Sequence, residues 1–144
     1  MVIDESQTET ARRALEEVCS GRNLGALPDV YHPDFVDHVN ALEYRGHAGA
    51  QRSVALYMAL FPDLRFEVEE QLSEGERVAS RWALHGTHRG RRVRLTGIVI
   101  SRFQDGRIVE DHAASDTREL VRQLGLWRTI LLVLKYPRLV FNRS

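Results

Sequence analysis

From Leu64 to Asp116 the chain follows a two-residue rhythm, and this stretch limits its possible folds more than any other. Leu64-Arg65-Phe66-Glu67-Val68-Glu69 alternates apolar with charged residues, as a strand with one buried and one wetted face requires. Glu74-Gly75 marks a turn, Arg77 to Thr87 a second strand, and His88-Arg89-Gly90-Arg91 another turn. Val93 to Phe103 is a third strand. Asp105-Gly106 is the dipeptide that a two-residue type I′ turn prefers, so Arg107 to about Ser115 returns antiparallel. The expectation is a four-stranded antiparallel meander.

Helical periodicity flanks this block. Ala11, Leu15, Val18 and Cys19 share one face of a helix from Thr8 to Ser20, which Gly21 stops. A short turn from Leu24 to Val30 leads to Tyr31-His32-Pro33-Asp34, and Phe35 to Val39 reads as a short strand. A helix from about Ala48 to Leu60 carries Val54, Met58 and Phe61 as an apolar stripe, and Thr117 to Leu124 is a short helix ending at Gly125. Segregated helices and strands define an α+β class. A long twisted sheet curling around helices leaves a concave cavity, a natural site for a small ligand.

With 144 residues and 16.5 kDa there is room for one domain, with a core at about 8–125 and an apolar helical extension at 126–144. Twenty basic and twenty acidic residues balance, which argues against a nucleic-acid or anionic-membrane binder. The longest apolar run, Thr129 to Leu134, is far short of the roughly 20 residues that span a bilayer. No signal peptide is visible and Cys19 has no partner for a disulfide, so a cytoplasmic location is expected. Nineteen of the twenty cations are Arg.

Several chemistries lack their motifs. Gly86, Gly90 and Gly97 fit neither nucleotide pattern, no Gly-x-Ser-x-Gly elbow occurs, and no metal site or cofactor is expected. His85 and His88 lie three apart on a strand and turn, which is not a metal-ligand spacing on a helix. The remaining candidates are acids and histidines near strand ends. Counting outward from Asp105-Gly106, without a bulge, pairs Phe103 with Ile108, Ser101 with Glu110, Val99 with His112 and Leu95 with Asp116. His112 and Asp116 would then project among apolar neighbours, where desolvation equips a carboxyl for acid/base work. Asp116-Thr117-Arg118-Glu119 is equally a helix N-cap box. Asp37 and His38 are adjacent on a strand, so one of them faces inward.

These segments resemble the SnoaL-like polyketide cyclases. The resemblance rests on Tyr31-His32-Pro33-Asp34-Phe35-Val36-Asp37, on Phe103-Gln104-Asp105-Gly106-Arg107-Ile108-Val109-Glu110 running to Asp116, and on Arg122-Gln123-Leu124-Gly125, over about residues 9 to 125. It implies a nuclear-transport-factor-two-like fold: a curved antiparallel sheet wrapped around N-terminal helices as a cone-shaped α+β barrel. It implies cofactor-independent aldol-type ring closure on an aromatic polyketide intermediate, with Asp116 as the base. His112 would be the acid or orienting group. Asp37, His38, Tyr57, Phe61, Trp82, Ser101 and Arg102 are the expected cavity residues. The family's inserted loop is reduced here to His88-Arg89-Gly90-Arg91, and the His expected near Ser101 or Arg102 is missing. A tailoring hydroxylase of the same fold is the second expectation. A non-catalytic, small-molecule-binding module is the third. The discriminating observation is whether the cavity is open and whether Asp116 and His112 both reach it. Homodimerisation through the outer sheet face is expected in each case.

Overall fold

The computed structural model describes residues 5–135. Helix α1 (Glu5–Arg13) continues into a π-helical stretch, Ala14–Cys19, and a 3₁₀ turn, Leu24–Ala26, precedes the short α2 (Leu27–Val30). Strands β1 (Tyr31–Val39) and β2 (Leu42–Arg45) follow, then α3 (Gly46–Leu60). The meander is β3 (Arg65–Glu74), β4 (Arg77–His88), β5 (Arg91–Gln104) and β6 (Arg107–Ser115), ahead of α4 (Thr117–Leu124) and α5 (Leu126–Lys135). The expected terminal extension is thus helical as far as Lys135, and its remainder lies outside the described residues. Among those residues no helix is long and apolar enough to cross a membrane.

All six strands form one curved, unclosed sheet in the order β2-β1-β6-β5-β4-β3. The meander forms as expected, and its hairpins obey the local chemistry. Asp105 and Gly106 have φ of 54° and 75°, both positive as a type I′ turn demands. The first half of the sheet departs from expectation. The strand predicted at Phe35 to Val39 begins four residues earlier and pairs parallel with β6, and β2 is an addition to the expected elements. Pro33 is tolerated inside β1 because the β1–β6 pairing is interrupted between Tyr31 and Val36, where no ladder hydrogen bond needs its missing N–H.

The helices close the concave side. Ala11, Ala14 and Val18 pack with Leu27, Val30, Phe35, Val78 and Ile108, all buried. Leu15, Phe66, Trp82, Leu84 and Val99 form the neighbouring half of the core. Polar clasps fix the N-terminal helix to the edge strand β3. The Phe66 N–H donates to the Ser20 hydroxyl at 2.8 Å, and the Val68 N–H donates to Glu16 Oε1 at 3.0 Å. These bonds satisfy edge N–H groups that would otherwise be open to another chain.

Candidate functional site

Which side chains enter the cone is decided by one irregularity. In β5 the inward set is Val93, Leu95, Val99, Ser101 and Phe103. Pairing with β6 starts as the sequence count has it, Phe103 with Ile108, but a bulge then lets Arg102 face Glu110. Ile108 and Val109 are both buried, so the extra residue is accommodated at Val109 and the alternation slips by one. Beyond it the pairs are Ser101 with Asp111, Ile100 with His112, Val99 with Ala113 and Gly97 with Ser115. The expected register is therefore corrected. Asp111 points into the cone and His112 out of it.

Asp116 does not sit beside Leu95 either. It is exposed and caps α4, accepting hydrogen bonds from the Arg118 N–H at 3.1 Å and the Glu119 N–H at 3.4 Å. Replacing it by Ala is expected to cost about 1 kcal/mol of stability, the usual loss of an N-cap, measurable by urea denaturation. Phe61 is buried but packs on Gly86, where an added Cβ would lie 2.7 Å from the Phe61 Cβ. His38 and Arg102 lie on the outer face beside Glu110, with His38 Nε2 3.1 Å from Glu110 Oε2 and Arg102 Nε 3.4 Å from Oε1. None of these residues lines the cavity.

Four of the expected residues do line it: Asp37, Tyr57, Trp82 and Ser101. They are joined by Asp111, Tyr31, Cys19, Ser53 and apolar residues such as Leu15, Val54, Phe66 and Val99. The π-helical stretch supplies Ala14, Leu15 and Cys19 to this wall. The enclosed space is about 60 Å³, which accommodates a few waters rather than a polycyclic ligand. A polycyclic ligand would therefore need wall side chains to move.

Asp37 and Asp111 are directly paired across β1 and β6, so both carboxyls project from neighbouring parallel strands into the same space. Among the described residues, no Arg, Lys or His lines it. Burial pushes both carboxyls above the ordinary carboxylate range. For Asp37 the Asp111 charge adds to this, whereas a hydrogen bond from Ser101 partly opposes it for Asp111. Asp111 Oδ1 is buried without a hydrogen-bond partner, a costly condition that a bound proton or ligand donor would relieve. Burial also pushes the Cys19 thiol up to about 12 and raises Tyr57, so both remain protonated donors at neutral pH.

Sequence reasoning missed Asp111 because it presumed an uninterrupted ladder. The available signal was the adjacent apolar pair Ile108-Val109, which breaks strict alternation.

A half-open cone of α+β architecture, enclosing an apolar cavity with a small polar set, defines the nuclear-transport-factor-two-like class of small-molecule-binding folds. Within that class, the chain belongs to the SnoaL-like polyketide cyclase family, whose model matches residues 9–124. Solved structures agree. Wild-type IdmH from Streptomyces antibioticus, a candidate polyketide cyclase, is 27% identical with a TM-score of 0.74, covering 83% of this chain and 99% of its own. A loop-truncated IdmH variant reaches 30% identity at a TM-score of 0.73, with the same 83% and 99% coverage. AclR from Streptomyces galilaeus, a candidate hydroxylase, is 25% identical with a TM-score of 0.69, covering 86% and 98%. No curated protein matches the chain.

Proposed function

We propose that this chain is a cofactor-independent acid/base enzyme that closes a ring in an aromatic polyketide intermediate, with Asp111 rather than Asp116 as the base. The observation that carries this reading is the pair of carboxyls, Asp37 and Asp111, facing one apolar cavity without a cationic partner. Two buried carboxyls this close share a proton, so one is a base while the other is an acid. Asp111 takes the proton from a carbon flanked by carbonyls. The enolate carbon then bonds to an aldehyde or ketone carbon of the same molecule, and the new alkoxide takes a proton from Asp37. The product is an isomer of the substrate, and the pair, left with one proton as it began, is reset when that proton passes from Asp111 back to Asp37. Ser101 orients Asp111, and Tyr57 and Trp82 supply flat walls for an aromatic ligand. Amine catalysis has no support in this cavity, because the single lysine, Lys135, lies on α5.

The test is product mass under anaerobic conditions with no added cofactor. An isomer of unchanged mass is expected. No product under these conditions, with oxygen uptake and a mass gain of one oxygen atom once air and a reductant are admitted, would overturn the cyclase reading in favour of a hydroxylase, the reading that the likeness to AclR supports. A neutral cytoplasmic dimer fits either activity. Ile98 and Ile100 are 51% and 46% exposed on the outer face of β5 and are the apolar side chains that a sheet-to-sheet contact would cover. Light scattering is expected to give twice the chain mass, and Ile100→Glu to give monomers.

A further inference from the structure

On the outer face of the sheet, on the opposite side from the cavity, two imidazoles converge on one carboxylate. His38 and His112 are paired across β1 and β6, and their rings stack with centroids 4.4 Å apart and planes 11° from parallel. His38 Nε2 is 3.1 Å from Glu110 Oε2, and His112 Nε2 is 3.7 Å from Glu110 Oε1. One donor atom from each of the three residues lies within 4.8 Å of the others. We propose that His38, Glu110 and His112 form a binding site for a single transition-metal cation of the zinc class.

Three features support it. A tetrahedral ion with bonds of about 2.0–2.1 Å holds its ligand atoms roughly 3.4 Å apart, a spacing that the 3.1 and 3.7 Å distances to Glu110 bracket, and the two stacked rings would tilt out of parallel to aim both nitrogens at one ion. The far side of His38 is already supported: its Nδ1 lies 3.5 Å from Glu43 Oε2, on the strand paired to the other edge of β1. A carboxylate behind a histidine favours the tautomer with Nδ1 protonated, which leaves the Nε2 lone pair for the metal. Finally, His112 is 61% exposed in the single chain, so an ion can reach the site without opening the fold and before the outer faces, where Ile100 lies opposite His112, come together as a dimer. The donor set selects the metal class. Two imidazoles with one carboxylate suit zinc, cobalt or nickel, whereas magnesium and calcium require oxygen ligands. Arg102 contacts Glu110 Oε1 at 3.4–3.5 Å, at the long limit of a hydrogen bond, and leaves Oε2 to His38. The ion would replace the hydrogen bond between His38 and Glu110, and would tie β1 to β6 at the strands that carry Asp37 and Asp111. The site is independent of the reaction assigned to the cavity.

The test is calorimetric titration of the chelator-stripped full chain with Zn²⁺, and separately with Mg²⁺. One Zn²⁺ per chain and no saturable Mg²⁺ binding are expected. His112→Ala, which removes an exposed side chain and leaves the core intact, should weaken Zn²⁺ binding at least tenfold. Glu43→Ala should weaken it by about tenfold while keeping the stoichiometry, the usual effect of losing the carboxylate behind a ligand histidine. Circular dichroism checks that each variant remains folded. The proposal is overturned if Zn²⁺ does not bind, if Mg²⁺ binds equally well, or if the His38→Ala/His112→Ala double variant binds Zn²⁺ like the parent.

Discussion

Asp111→Asn is expected to lower turnover by about 10²–10⁴-fold, the usual contribution of a positioned base. The amide keeps the size of the side chain and its place opposite Asp37, so the loss reads the proton transfer rather than the packing. Folding should be unharmed or improved, because the substitution removes a buried carboxyl beside another and leaves no charge to desolvate. Asp37→Asn should also reduce turnover, since it removes the acid that completes the ring closure. Asp116→Asn should leave turnover at the parent level, because its carboxyl is engaged at the start of α4. The comparison is made on one substrate at saturating concentration. Near-parent turnover in Asp111→Asn, or a loss confined to Asp116→Asn, would remove Asp111 as the base.

Gly97→Val is expected to be the most damaging single substitution among the cavity strands, costing about 3 kcal/mol in chemical denaturation, at the upper end for overpacking. Gly97 is paired with Trp82 on one side and Ser115 on the other. A Cβ there would stand 2.5 Å from the Ala114 carbonyl oxygen and 2.7 Å from Trp82 Cη2. The indole could turn aside, but the carbonyl belongs to the ladder and cannot. In a Trp82→Leu background the cost of Gly97→Val should therefore fall only in part. A cost under about 1 kcal/mol in the parent background, below the usual range for overpacking, would show that strand β6 yields at Ala114.

The two halves of the sheet differ in how far they could be read from the chain. Strands β3 to β6 are joined in sequence by turns whose residues announce them, and each alternates over a long enough stretch to show its buried face. Strand β2 has four residues, Leu42 to Arg45, too few for a period to emerge. The parallel contact of β1 with β6 joins residues some seventy positions apart, and Pro33, read only as the end of a helical turn, lies within the strand where the interrupted pairing permits it. For the site, the sequence named Asp37 with His38 and Ser101 with Arg102, and the sheet decides that Asp37 and Ser101 are the members of each pair that line the cavity, beside Tyr57 and Trp82. Asp111 was not legible, since its direction depends on how many residues β6 spends between the hairpin and the cavity. The outer cluster was also invisible: His38, Glu110 and His112 carry no common spacing and meet only through the β1–β6 pairing.

The bulge at Val109 works like a reading frame. The same chain with Val109 taken into a regular ladder would spell the same amino acids, yet turn Glu110 and His112 into the cone and Asp111 out to solvent. The acidity of the cavity is thus encoded in the place where one strand bulges as much as in the identity of any side chain on it. Straightening that one bulge would be a route by which this scaffold exchanges its inner chemistry for its outer one.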